Sequence, residues 1–158
     1  MKNFFAIIVL TCLSINTFAQ KSKDGNKTIS GTEIVNEYTA LSTNAASGDL
    51  TISVANSSLN SNGRFSNSLT AGDLLFIIQM QGVTIDATHG RVFSWGEVLD
   101  YNNCGLSEYV EVSNVPNGTT IELSCGLKNN YSASGKVNVI RVPRYSSLNV
   151  PNGATLTG

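Results

Sequence analysis

Charge, histidine, proline and long apolar runs are all scarce in this chain, and each scarcity removes a class of protein. Only 13% of the 158 residues are Asp, Glu, Lys or Arg, with a net charge of -1, where an average soluble chain carries about 25%. No basic run is stronger than the scattered Lys21, Lys23 and Lys27, so the electrostatic footprint of nucleic-acid binding is missing and no nucleic-acid partner is expected. The single histidine, His89, cannot complete a four-ligand zinc site with so few cysteines. No apolar run approaches the roughly 20 residues that cross a hydrocarbon core, so no membrane span is expected. What takes the place of charge is small and polar: Gly, Ser, Thr and Asn make up 65 of the 158 residues. Their side chains compete with the helix ladder and favour tight turns, which points to strands rather than helices.

The N-terminus reads as an export signal. Lys2 gives a positive start, Phe4 to Leu13 an apolar stretch, and Thr17-Phe18-Ala19 a small-x-small cleavage site before Gln20. Residues 1–19 are therefore expected to be removed and the protein to be secreted or held at the cell surface. Cys12 leaves with them, and the mature chain keeps Cys104 and Cys125 in a compartment that permits disulfides. Residues 20–32 hold one apolar side chain, Ile29, and read as a flexible leader. A β domain is expected over 33–158, truncated at its C-terminal end.

Within that domain, short β-branched runs alternate with Gly, Asn and Ser clusters. The pattern predicts an all-β fold, a small barrel or sandwich of about seven or eight short strands. Leu74, Phe76, Ile78 and Met80 are expected to form a continuously buried face, while Leu75, Ile77, Gln79 and Gln81 turn wet halfway along. In the segment 137–142, the apolar positions switch from Val137 and Val139 to Ile140 and Val142, suggesting burial on both faces or a bulge. Val115-Pro116-Asn117-Gly118 predicts a three-residue hairpin with Gly118 left-handed. The octapeptide Asn114 to Ile121 recurs as Asn149 to Leu156, and its second strand looks unfinished.

Few residues suggest chemistry. Cys104 and Cys125 flank the hairpin and are expected to form a largely buried disulfide, with two buried free thiols as the alternative. His89 lies in Asp86-Ala87-Thr88-His89-Gly90 without a nucleophile elbow, HExxH, Walker A, GxGxxG or CxxC spacing anywhere in the chain. No catalytic residue, cofactor or metal is therefore expected. Phe93, Trp95, Tyr101 and Tyr109 offer stacking surface for sugar rings, although a small β domain needs aromatics inside; His89 and Trp95 are the candidate ligand-facing residues. A glycan or cell-surface partner is the partner class these side chains suggest.

Three segments also carry a resemblance: Gly72 to Gly82 (GDLLFIIQMQG), Tyr109 to Val112, and Tyr131 through Val137 to Tyr145, which ends in RVPRY. Together they resemble the N-terminal region of large secreted adhesin-like surface proteins of Bacteroidota and gliding-associated surface proteins of myxobacteria. The resemblance implies a non-enzymatic exported module at the front of a β-rich body. The alternative is an accessory or N-terminal domain of an extracellular polysaccharide-degrading enzyme.

Overall fold

The structure, a computed structural model, describes residues 22–88 and 95–157. Residues 1–19, expected to be a signal segment, lie outside them, as do His89 and Phe93. Twelve strands occur in order: β1 Asn26–Thr28, β2 Thr32–Ile34, β3 Glu37–Ala40, β4 Thr51–Ser53, β5 Leu74–Gln79, β6 Thr84–Ile85, β7 Val98–Asp100, β8 Ser107–Asn117, β9 Thr120–Leu123, β10 Val137–Val142, β11 Ser147–Asn149 and β12 Thr155–Thr157. The fold is all-β, as the composition predicts; a single 3-10 turn covers Ala133–Gly135.

Six strands form one sheet in the order β3-β10-β5-β8-β9-β4. It curls until its edges meet, for Leu41 beyond β3 bridges Val54 beyond β4, with Ser42 N–H donating to Ser53 O at 2.8 Å and Ala55 N–H to Ala40 O at 2.9 Å. Curling removes the exposed edge that a flat sheet would offer. Inside lie the aliphatic side chains of every strand except the edge strand β3, among them Ile52, Leu75, Ile77, Val110, Val112, Ile121, Val137 and Val139.

The phase of β5 is the reverse of the expected one. Leu75, Ile77 and Gln79 point inward and are at most 1% exposed, while Leu74, Phe76 and Ile78 are half-buried on the outer face. Gln79 misled the pattern because its amide is fully employed inside: Nε2 donates to Gln81 O and Asn102 O, both at 2.8 Å, and Oε1 accepts from Ser132 N–H at 2.9 Å. A buried polar group so satisfied is compatible with a core. On β10 the apparent switch has the same kind of cause. The register against β5 is unbroken from Val137 to Val142, and the inward place after Val139 is taken by Arg141, which pairs with Asp73 at 3.0 Å and lies 3.9 Å over the Phe65 ring. Inward-facing Glu108 accepts from Lys128 N–H, Asn129 N–H and the Tyr131 hydroxyl. Burial, opposed by the Asn129 hydrogen bond and reinforced by the Glu108 carboxylate, pushes the Tyr131 phenol up to about 12.

The segment 22–32, expected to be a leader, is paired instead. β1 runs parallel to β11 (Asn26↔Ser147, Lys27↔Leu148, Thr28↔Asn149) and β2 parallel to β12 (Thr32↔Thr155, Glu33↔Leu156, Ile34↔Thr157). Ile29, its lone apolar residue before Ile34, is 1% exposed. The curled sheet is thus inserted between two stacked strand–turn–strand coils. Backbone pairing supplies what hydrophobic content lacks: Ile29 N–H donates to Asn149 O at 2.9 Å, Thr155 N–H to Gly31 O at 2.7 Å and Ser146 N–H to Gly25 O at 2.7 Å.

Candidate functional site

The end of the barrel that Gln79 plugs opens into a polar cleft of about 810 Å³. Its floor is Gln79; one wall is the loop Asp100 to Leu106 and the other is Ser132 and Ser134 of the 3-10 turn region. Two glycines let the walls approach the plug. A Cβ on Gly82 would lie 2.7 Å from Asn102 O, and one on Gly135 would lie 2.7 Å from Gln81 O. The loop holds Asn102 and Asn103 in the left-handed region, at φ 44° and 65°, a conformation Asn tolerates better than most residues. It is pinned by Asn102, whose N–H donates to Asp100 Oδ1 at 2.8 Å and whose Nδ2 donates to Gly82 O and Thr84 Oγ1, both at 3.0 Å. Gly105 N–H donates to Gln79 O at 2.8 Å. A cleft held this way presents amides, hydroxyls, one carboxylate and one phenol on a fixed frame.

The aromatics expected inside are outside. Trp95, Tyr101 and Tyr109 are 66%, 66% and 61% exposed. Tyr101 lines the cleft, and Trp95 lies beside the β6–β7 ribbon, where Gly96 N–H donates to Asp86 O at 2.7 Å. Tyr109 belongs to a row that crosses the outer face of four strands, Tyr38, Ile140, Phe76 and Tyr109, with the Phe76 and Tyr109 rings 4.8 Å apart. Aliphatic side chains and Tyr131 fill the small barrel, and the Trp95, Tyr101 and Tyr109 rings lie outside it. Sequence alternation held the signal for Tyr109, which is out of phase with Val110 and Val112; Tyr38, Gly82 and Gly135 gave none.

The expected disulfide is not formed. Cys104 and Cys125 are free, the first half-buried and the second exposed. Ser124 N–H donates to Glu111 O, so Cys125 leaves the hairpin beside the middle of β8, whereas Cys104 lies in the turn before Ser107 and directs its Sγ to Met80 O at 3.3 Å. Cys125 is not buried with Ile121 and Leu123 because β9 ends at Leu123. His89 falls outside the described residues. Among the described residues, no three His, Cys, Asp or Glu side chains gather to hold a metal ion.

No family model matches the chain, and no curated protein matches it. Among solved structures it is similar to the Gp54 tailspike of Acinetobacter baumannii bacteriophage AP22, solved in complex with A. baumannii capsular saccharide, at 20% identity and TM-score 0.42 over 79% of this chain and 17% of that one. Two Pseudomonas phage tailspikes are comparable: gp61 of phi297 at 15% and 0.44 over 82% and 20%, and gp49 of LKA1 at 18% and 0.42 over 75% and 20%. The chain spans at most a fifth of the length of these proteins.

Proposed function

We propose that this chain is a non-enzymatic exported module that binds glycan in the cleft over Gln79, as the N-terminal part of an adhesin-like surface or secreted protein. The cleft itself carries the reading. With the Gln79 amide committed to the plug, the Asn103 amide and the Ser132 and Ser134 hydroxyls of the lining remain to donate and accept, as sugar hydroxyls require, and Tyr101 adds an amphipathic ring at the same place. Among the described residues a single carboxylate, Asp100, lines it, whereas most glycoside hydrolysis uses two flanking the scissile bond; that supports binding over turnover. The export reading rests on Lys2, the apolar stretch and Thr17-Phe18-Ala19.

A glycan array followed by titration calorimetry tests the proposal. The mature chain binds a saccharide, Tyr101→Ala weakens binding at least tenfold while thermal unfolding is unchanged, and no reducing ends are released. Absence of any glycan ligand, or saccharide cleavage lost in Asp100→Asn, overturns it.

A further inference from the structure

The two coils beside the barrel have two outer edges of opposite character. On one, Lys27 of β1 and Glu33 of β2 form an ion pair, and Ser30 N–H donates to Glu33 Oε1 at 2.6 Å. Charge on a strand is a device that blunts an edge against further pairing. On the other, β11 and β12 and the turn between them, residues 145–157, contain no charged residue. Among the described residues each of these strands pairs on one side only, in two-stranded sheets, and all their residues are exposed.

The apolar side chains along this edge are uncovered. Continuing the β1–β11 register by one residue sets Val150 beside Ile29. Ile29, in the coil that has a neighbour on this side, is 1% exposed; Val150, in the coil that has none among the described residues, is 44% exposed, with Leu148 at 45% and Leu156 at 38%. The turn is also preformed: Ala154 N–H donates to Pro151 O at 3.0 Å, with Gly153 at φ 84°.

We propose that the free edge of β11 and β12 is a docking edge for one further strand–turn–strand segment of the same uncharged chemistry, added in parallel register as the next coil of the stack. The segment pairs its backbone with Ser147–Asn149 and Thr155–Thr157 and covers Val150. This is strand addition to a sheet edge, in which main-chain bonds give affinity and alternate side chains give selectivity.

A synthetic peptide of the sequence 145–157, with a spin label at its N-terminus, is titrated into the isotope-labelled mature chain and read by amide resonances and hydrogen exchange. The expected result is saturable protection of the amides of 147–149 and 155–157, unchanged exchange in β5, and relaxation broadening centred on Ser146 and Ser147, the parallel end. Val150→Lys, an exposed position, lowers peptide affinity at least tenfold without shifting the barrel resonances. Absence of protection, broadening centred on Thr157, or protection that grows with protein concentration in the absence of peptide overturns the proposal; the last outcome assigns the edge to a second copy.

Discussion

The barrel and the coil pair solve the same problem in opposite ways. In the barrel the sheet curls onto itself, every strand but β3 turns alternate side chains into one hydrophobic core, and Leu75, Ile77 and Val139 reach zero exposure. In the coils the strands are three residues long, their burial patterns run almost wholly exposed, and cohesion is mainly main-chain hydrogen bonding. The repeated octapeptide stands in both regions and adopts two shapes. In its first copy, at the β8–β9 hairpin, Asn117 Oδ1 accepts from Thr119 N–H at 2.9 Å, and Gly118 is not among the residues of positive φ, contrary to the expected left-handed Gly118. In the second, Gly153 is left-handed and the backbone closes the turn. The copies differ at Thr119/Ala154 and Ile121/Leu156, and the Thr119 hydroxyl donates to Asn117 Oδ1 at 3.1 Å; the surroundings hold the first turn as well, for Ser57 grips it through Asn117 O at 2.6 Å and Gly118 O at 2.9 Å.

If the barrel owes its stability to packing and the coils to backbone pairing, truncation must separate them. Ile77→Ala is expected to cost about 3–4 kcal/mol through lost burial and a cavity, and Leu148→Ala about 0.5 kcal/mol or less, as for most surface changes; denaturant unfolding of both variants checks this, and equal costs would erase the contrast. Gln79→Leu keeps the volume but strips Ser132 N–H, Gln81 O and Asn102 O of their partner, and about 2 kcal/mol is expected from leaving them unpaired, together with loss of the cleft floor. The octapeptide gives a sharper test. Gly153→Ala must hold an L-residue at φ 84°, costing about 1 kcal/mol, seen as faster hydrogen exchange at Ala154, whereas Gly118→Ala meets open space and leaves exchange unchanged.

The smallest effect is electrostatic and confined to the coils. The hydrogen bond from Lys27, helped by Ser30 N–H, holds the Glu33 carboxyl below its ordinary value, so its stabilisation is present above that value and is lost as pH falls through the lowered one. Lys27 is raised by the same contact, so its share is lost only in strong alkali. The amide shift of Ser30 is expected to titrate with a midpoint below about pH 4.3, the unperturbed Glu value, and Glu33→Gln to abolish that titration while β5 resonances stay still.

Much of the barrel was legible because its signals are local. The short β-branched runs between Gly, Asn and Ser clusters announced an all-β fold, since period-two burial is written into neighbouring residues. The phase of β5 was not legible, because Gln79 is polar in sequence and apolar in placement, its amide being satisfied by loops more than twenty residues away. The coil pairing was hidden for a related reason: Lys27 meets Leu148 and Glu33 meets Leu156, matches that no hydrophobic pattern announces. Of the cleft, Tyr101 was visible as stacking surface and Cys104 as a cysteine, but its floor and second wall come from Gln79, Ser132 and Ser134, which only the fold brings together.

The insertion of the barrel between the coils also dictates an order of assembly. Ser147 and Asn26 touch across 121 positions of chain, and closing a flexible loop of that length costs about 4 kcal/mol through the logarithmic length dependence alone, more than a handful of exposed three-residue pairings repay. Once the barrel has formed, Glu37 and Arg141 are paired neighbours and the remaining gap to each coil is a few residues, so that cost has already been met. The coils are therefore the last part of the molecule to form and the first to open, and the barrel acts on them as a covalent clamp whose grip is set by its own stability.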